Sequence, residues 1–277
     1  MHVYSTFRRG AALAGLLLVI AVAPLPGQAA EPVLRIGGTG AALSLMAHLG
    51  GVFRREHPDV AVEVLPSLGS GGGIRALAER VLDLAIAARP LKAQETARGL
   101  QALPLLRTPF VIVSSIRNPA PLDADGLAGL YGDPTARWPD GTPVNIVLRP
   151  ASASDSAILA RSFAGMEEAL ARARRRPEVP VAQTDQDNLR LAAEITGSLT
   201  AATLLQVVSE YATVTVLPID GVAPTLGGLE SGRYPYAKEM ILVRRAGDNP
   251  ALDRFIAFLA SPAGSRIIRE SGAVPLL

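Results

Sequence analysis

The sequence has no cysteine among its 277 residues. This absence excludes thiol catalysis, disulfide bonds, metal sites built on cysteine and a lipidated N-terminal cysteine. Histidine is scarce as well, since only His48 and His57 lie beyond residue 30. Few histidines are therefore available to act as the base of a serine triad. We expect neither catalysis nor a cofactor, and no metal site.

The first 30 residues have the pattern of a cleaved secretory signal peptide. Arg8 and Arg9 precede an uninterrupted apolar run at residues 11–23, and prolines and small side chains follow it. The run is shorter than the ~20 apolar residues that a membrane-spanning helix needs. We therefore expect export, cleavage after the first 30 residues and a mature protein that is free in the periplasm.

The mature chain has no excess of charge of either sign. Lys and Arg number 27 and Asp and Glu 25 in the full chain, and the signal peptide contains two of the arginines and none of the acids. Charges of the two signs therefore balance in the mature chain. No overall attraction to nucleic acid or to an anionic membrane follows from this balance, and we expect no nucleic-acid partner.

Strand and helix patterns alternate from residue 33 onward. Residues 33–36 and 60–64 alternate like strands, and residues 83–88 form an apolar run typical of a strand buried on both faces. Helical spacing of apolar residues separates these strands. The alternation predicts an α/β fold in which mostly parallel sheets are flanked by helices.

A change of region is predicted at the proline-containing stretch of residues 118–121. A strand pattern and two closing helices near the end of the chain then return to the first region. We therefore divide the mature chain into lobe 1, residues 31–112 and 237–277, and lobe 2, residues 113–236. A ligand cleft is expected between the two lobes.

The stretch at residues 67–74 reads Ser-Leu-Gly-Ser-Gly-Gly-Gly-Ile, and it lies between a strand pattern and a helical pattern. Its glycines permit unusual φ/ψ and a close approach of backbone N–H groups to a ligand. We predict a loop here, followed by a helix from about Ile74 to Val81 whose N-terminus points at the same place. Such a loop can capture an anion.

Two further places repeat this arrangement of a strand end, a turn of small or hydroxyl residues and a helix N-terminus. They are residues 38–41 and residues 149–155. Since ligands of open parallel sheets lie beyond the carboxyl ends of strands, the three turns can face one crevice. Arg149 can bind an oxyanion bidentately and stays charged. Arg89, which follows a buried strand, is a second candidate for this contact.

Nucleotide-binding motifs are incomplete in the same turns. Residues 38–43 begin like a dinucleotide fingerprint but lack its third glycine. Residues 67–73 lack the Gly-Lys-Ser/Thr ending of a nucleotide P-loop. We therefore expect no nucleotide at either turn.

Several of these motifs resemble those of the periplasmic phosphate-binding proteins of ABC importers. The similar stretches are residues 38–41, 68–75, 82–91, 149–155, 234–235 and 261–264. The resemblance implies a two-lobed type II periplasmic binding fold that closes on a tetrahedral oxyanion. It also implies that a membrane permease and its ATPase are partners. We expect the mature protein to be a monomer.

The resemblance also assigns roles to individual residues. It implies that the anion is bound by two turns of the first lobe and by an arginine and a hydroxyl of the second. The residues that match these positions are Thr39, Gly40, Ala41, Ser70, Gly71, Gly72, Arg149 and Ser154.

Two departures from the family pattern concern the choice of anion. Where well-known members have an aspartate that accepts the proton of hydrogen phosphate, this chain has Ala88. Where they read Ser-Gly-Thr after the arginine, it has Ala153, Ser154 and Asp155. Because sulfate has no proton to donate, a carboxylate acceptor favours hydrogen phosphate over sulfate. Our hypothesis is that Asp155 supplies this acceptor from the second lobe.

The sequence therefore predicts a solute-binding protein that captures inorganic phosphate for an ABC importer. Three alternatives stay open: a receptor for sulfate, molybdate or tungstate, an anion sensor without a transporter, and a secreted enzyme that acts on a phosphorylated substrate. Tight binding of free phosphate without turnover would favour the receptor over the enzyme.

Overall fold

The structure, a computed structural model, describes His2 and residues 32–117, 121–247 and 249–277. The predicted signal peptide at residues 1–30, apart from His2, lies outside these residues. Most of the predicted passage between the lobes, residues 118–120, also lies outside them.

Nine strands and eleven α-helices form within the described residues. The strands are β1 (Val33–Gly38), β2 (Ala61–Val64), β3 (Leu84–Ala87), β4 (Leu100–Ser114), β5 (Asn145–Ile146), β6 (Ser198–Thr203), β7 (Thr215–Leu217), β8 (Ala237–Arg245) and β9 (Val274–Pro275). The helices are α1 (Leu43–Glu56), α2 (Gly69–Ala78), α3 (Ala93–Thr96), α4 (Leu127–Gly132), α5 (Ser154–Ser162), α6 (Met166–Ala173), α7 (Asp185–Glu194), α8 (Leu204–Ser209), α9 (Leu226–Glu230), α10 (Pro250–Ala260) and α11 (Pro262–Glu270). A short 3-10 helix, Gly40–Ala42, precedes α1.

The strands form a mixed sheet in the order β2-β1-β3-β8-β4-β6-β5, and β7 and β9 pair with β4. Pairing is parallel between β1 and both β2 and β3, and between β5 and β6, because helices connect these strands along the chain. Pairing is antiparallel where β8 and β4 join the two groups. The predicted α/β fold with helices flanking the sheet is confirmed.

Strand β4 is longer than its sequence pattern indicates. We expect a strand at residues 109–114, but the strand begins at Leu100. Pro104 makes the sequence-based prediction of the first part of the strand fail, because proline lacks the N–H that pairing in a sheet needs. In the structure the register of β4 against β8 shifts between Pro104 and Leu106, and an irregularity of this kind accommodates proline.

Two large hydrophobic cores lie along the sheet. The first surrounds Phe53, whose ring packs edge-on against Phe255 at 5.2 Å between centroids. The second contains Trp138 and Tyr234. Strand β4 supplies residues to both cores. The bounds of the two lobes, residues 31–112 with 237–277 and residues 113–236, stay a prediction.

The predicted loop at residues 67–73 is wrong from Gly69 onward. Helix α2 begins at Gly69 rather than near Ile74, so its glycines form the first turns of the helix. Glycine is a poor helix former, which is why the sequence favours a loop. Tertiary packing overrides this preference, because a Cβ on Gly73 would lie 2.5 Å from the Cα of Gly38. Only a glycine lets the helix approach the end of β1 this closely.

The sequence from Thr184 to Asp187 resembles a capping box at the start of a helix, and the structure confirms this prediction for α7. The hydroxyl of Thr184 accepts a hydrogen bond from the backbone N–H of Asp187 at 3.0 Å. The carboxylate of Asp187 accepts one from the backbone N–H of Thr184 at 3.2 Å. This reciprocal pair fixes the first turn of α7, where Asp185 is the first helical residue.

The two closing helices are found close to where the sequence predicts them. We expect helices near residues 251–260 and 263–271, and α10 and α11 cover these positions. Among the described residues, no helix combines the length and the apolar composition that crossing a membrane requires.

Candidate functional site

A cavity of about 670 Å³ lies where the turn after β1, the turn after β3 and the first turns of α2, α5 and α7 meet. We call it the central cavity. Its polar and charged lining comprises Thr39, Ser67, Ser70, Arg89, Lys92, Arg149, Ser152, Ser154, Arg161, Gln183, Thr184 and Asp185. Helices α2, α5 and α7 therefore present their N-termini to one space.

The N-termini of α2 and α5 have no side-chain cap. Their N-cap residues are Leu68 and Ala153, and neither accepts a hydrogen bond from the helix that it precedes. By contrast, a side-chain oxygen caps each of the five helices from α7 to α11. The first N–H groups of a helix have no intrahelical partner and form the positive end of its dipole. Both uncapped ends can therefore bind an anion in the central cavity.

The structure brings together six of the nine residues that the sequence predicts for the site. Those that line the central cavity are Thr39, Ser70, Gly71, Gly72, Arg149 and Ser154. The other three, Gly40, Ala41 and Asp155, are not part of its lining. Gly40 nevertheless lies directly behind the wall, because a Cβ there would be 2.6 Å from Oδ2 of Asp185.

The hydroxyl of Ser70 is oriented by the turn after β3. Its Oγ accepts a hydrogen bond from the backbone N–H of Ala88 at 2.9 Å. A hydroxyl has one proton to donate and two lone pairs to accept with. Since the Ala88 bond uses a lone pair, the proton of Ser70 stays available to a ligand in the cavity.

Arg149 is the buried cation of the cavity wall, with only 8 % of its surface exposed. One terminal nitrogen donates to the backbone carbonyl of Ala182 at 2.6 Å, and the other donates to Oδ2 of Asp185 at 3.2 Å. The Nε atom is buried without a hydrogen-bond partner and lies 3.7 Å from Oδ2 of Asp155. The guanidinium is therefore held in place and keeps unused donor capacity.

Lys238, on β8, completes a buried cluster of two cations and two carboxylates. Its Nζ donates to Oδ1 of Asp155 at 2.6 Å and lies 3.9 Å from Oδ1 of Asp185. We call Arg149, Asp155, Asp185 and Lys238 the buried charge cluster. Sequence reasoning missed Asp185 as a site residue and missed Lys238 altogether. The one signal for Lys238 is a lysine two residues before the apolar run at residues 240–243.

The hypothesis that Asp155 accepts a proton from the ligand is not supported by its position. The carboxylate faces Lys238, and the residue does not line the central cavity. Burial raises the pKa of Asp155, but the charges of Lys238 and Arg149 outweigh burial and hold the pKa below its usual value. Asp155 is therefore an ionised partner of Lys238 in the interior.

Arg89 lines the central cavity, but its charge is neutralised by a neighbour. Its two terminal nitrogens donate to the carboxylate of Glu95 at 2.8 and 2.7 Å. The hydrogen bond with Arg89 lowers the pKa of Glu95 to about 2. Lys92 and Arg161 add positive charge at the exposed rim, and Ala88 brings no carboxylate to the wall.

The pattern of the PBP superfamily domain matches residues 24–263, which is most of the chain. The chain belongs to the PBP superfamily. No curated protein matches the sequence.

Several solved structures are similar over nearly the whole chain. One, from Clostridium perfringens and with bound phosphate, is described as a phosphate ABC transporter substrate-binding protein. It is 18 % identical with a TM-score of 0.76, and the match covers 88 % of this chain and 100 % of that chain. An ABC-type phosphate transport receptor from Vibrio cholerae is 21 % identical with a TM-score of 0.62, over 87 % and 99 % of the two chains.

A further solved structure shares the fold. The reduced form of OxyR from N. meningitidis is 14 % identical with a TM-score of 0.58, and the match covers 88 % of this chain and 99 % of that chain. At this level of identity the likeness shows the fold alone. The chemistry of the site therefore decides the function.

Proposed function

We propose that this protein is a periplasmic solute-binding protein that captures inorganic phosphate for an ABC importer. The observation that supports this function best is the convergence of two uncapped helix N-termini and the buried Arg149 on one cavity. All three are donors of positive or partial positive charge, so the wall suits a small oxyanion.

The expected energy of such a site is sufficient for physiological capture. A hydrogen bond to a charged partner contributes roughly 1.5–3 kcal/mol. Micromolar binding requires about −8 kcal/mol. A few N–H and hydroxyl donors together with one guanidinium therefore suffice, even after losses to desolvation and rigid-body entropy.

The proposal extends to location, partners and motion. The signal peptide delivers the chain to the periplasm, where a monomer binds one anion between lobe 1 and lobe 2. The lobes close on the anion, and a permease with its ATPase receives the loaded protein. Phosphate transport receptors with this fold support the assignment. Catalysis is not part of the proposal.

Calorimetric titration of the mature chain, residues 31–277, with phosphate, sulfate, molybdate and tungstate tests this function. We expect one phosphate per chain, bound at micromolar Kd or tighter, and weaker binding of the other three anions. Tighter binding of another oxyanion would replace phosphate as the ligand. Hydrolysis of a phosphate ester would instead identify an enzyme, and absence of binding to all four anions would refute the proposal.

A further inference from the structure

Asp185 is the only acidic residue among the described residues that line the central cavity. It is 4 % exposed and begins helix α7, where the capping box of Thr184 and Asp187 fixes the backbone. A carboxylate in the wall of an anion site repels a ligand unless that ligand has a proton to donate. The chemistry of this residue thus differs from that of every other charged group in the lining.

The position of Asp185 places it beside the other elements of the site. Its Oδ2 accepts from Arg149 at 3.2 Å and lies so close to Gly40 that a Cβ there would be 2.6 Å away. Gly40 starts the short helix after β1 and follows Thr39, which lines the cavity. The carboxylate is therefore next to both the guanidinium and the first anion turn.

The carboxylate of Asp185 has accepting capacity left over. An ionised carboxylate offers about four lone-pair sites. Arg149 donates to Oδ2 at 3.2 Å, Lys238 is more distant at 3.9 Å, and the carboxyl of Asp155 is the other hydrogen-bonding neighbour. Asp155 differs in both respects, because it is 2.6 Å from Lys238 and does not line the cavity.

We propose that Asp185 is the specificity-determining acceptor, which takes a hydrogen bond from a protonated oxyanion such as hydrogen phosphate and so disfavours sulfate. This inference rests on the proposed function and names the residue behind its selectivity. It moves the role that the sequence suggested for Asp155 to a carboxylate 30 positions further along the chain. In this proposal Asp185 binds the ligand, whereas Asp155 lies behind the cavity wall as the partner of Lys238.

The electrostatic surroundings of Asp185 agree with an acceptor role. Burial raises its pKa, Lys238 and Arg149 oppose the rise, and the neighbouring Asp155 carboxylate adds to it, so that the pKa lies above its usual value. A carboxylate with a raised pKa holds a shared proton more strongly. A ligand that has a proton can share it with this carboxylate, which sulfate cannot do.

The test compares the ratio of the sulfate Kd to the phosphate Kd in three proteins at one pH near neutrality. We expect Asp185→Asn to lower this ratio at least tenfold, because the amide can donate to either anion. The matched control is Asp155→Asn, which removes a carboxylate from the same cluster behind the wall. We expect the control to weaken the binding of both anions by a similar factor. The ratio of the two Kd values should stay within about threefold of the wild-type ratio.

A purely structural role for Asp185, as a brace for Arg149, gives a different result. Loss of the brace would weaken the binding of phosphate and of sulfate equally. An unchanged ratio of the two Kd values in Asp185→Asn would therefore overturn the inference. A ratio that falls in Asp155→Asn and not in Asp185→Asn would return the role to Asp155. If the wild-type protein binds none of these anions, the proposed function itself is wrong, and the inference fails with it.

A second measurement uses the unaltered protein, so that it does not depend on the folding of a variant. Monofluorophosphate resembles hydrogen phosphate in shape but has fluorine in place of the hydroxyl, so it has no proton to donate as a dianion. We expect its Kd to exceed that of phosphate at least tenfold and to approach that of sulfate. Equal Kd values for phosphate and monofluorophosphate would overturn the inference.

Discussion

The Nζ atom of Lys238 lies 2.6 Å from Oδ1 of Asp155, and neither side chain is open to solvent. The pair connects the first part of β8 to the first turn of α5, so it joins two segments that are 83 positions apart. Because α5 also presents its N-terminus to the central cavity, this buried pair positions one wall of the site.

Lys238→Met tests how much this pair contributes to the stability of the fold. Removing the lysine leaves Asp155 buried without its closest partner, and we expect the free energy of unfolding to fall by about 3–5 kcal/mol. Urea denaturation measures the change. The double variant Lys238→Met with Asp155→Asn is the control, and it should regain a substantial part of the loss. A loss below about 1 kcal/mol in the single variant would contradict the prediction.

Arg149→Lys tests the contribution of the guanidinium to binding. A lysine keeps the charge but cannot form the fork that donates to Ala182, Asp185 and a ligand at once. We expect the phosphate Kd to rise about 10- to 100-fold, as measured by calorimetry. The control is Arg161→Gln at the exposed rim of the cavity. It should change the Kd only a few-fold, and the change should shrink at high salt.

Gly73→Ala and Gly71→Ala test the packing of α2, and we expect them to change stability in opposite directions. The methyl group that Gly73→Ala introduces would lie 2.5 Å from the Cα of Gly38, whereas a Cβ at Gly71 would meet open space. We expect Gly73→Ala to lower the free energy of unfolding by about 1–3 kcal/mol. Gly71→Ala should raise it by up to about 1 kcal/mol, because alanine is the better helix former. Equal effects of both changes would show that the contact with Gly38 does not matter.

The pair of Arg89 and Glu95 predicts part of the pH dependence of stability. The hydrogen bond with Arg89 lowers the pKa of folded Glu95 to about 2 from its ordinary 4.5. Stability from a carboxyl with a lowered pKa is present above the unfolded pKa and is lost as the pH falls toward the folded pKa. The free energy of unfolding should therefore decrease between about pH 4.5 and pH 2.

Glu95→Gln should remove this contribution, so that the variant loses less stability than the wild type on acidification. Urea denaturation at several pH values between about 5 and 3 measures the slope. Glu178→Gln serves as the control, because Glu178 pairs with Arg176 while 61 % of its side chain is exposed. The control should alter the slope much less, since solvent screens an exposed pair. An unchanged slope in Glu95→Gln would exclude the pair as a source of acid sensitivity.

Local sequence patterns were sufficient to find several residues of the cavity lining. Thr39, Ser70, Arg149 and Ser154 each follow a strand pattern and precede or begin a helix pattern, and the carboxyl ends of strands share an edge. The capping box at Thr184 is equally local, because all of its partners lie within four residues. Features of this kind need no knowledge of topology.

The parts that the sequence does not predict depend on contacts between distant segments. The start of α2 at Gly69 follows from the approach of Gly73 to Gly38, which outweighs the poor helix propensity of glycine. The orientation of Asp155 follows from Lys238, and nothing near Asp155 in the chain indicates that partner. Packing between α2 and β1 decides the first feature, and the position of β8 in the sheet decides the second.

Strand β4 also determines how the protein should unfold. Leu105 and Leu106 belong to the first core, and Phe110 and Ile112 belong to the second, within one uninterrupted strand. Detaching this strand would expose apolar surface in both cores at once, so neither can be lost while the other stays intact. Heating or urea should therefore melt residues 32–277 in a single cooperative step, despite the two separate clusters of buried side chains.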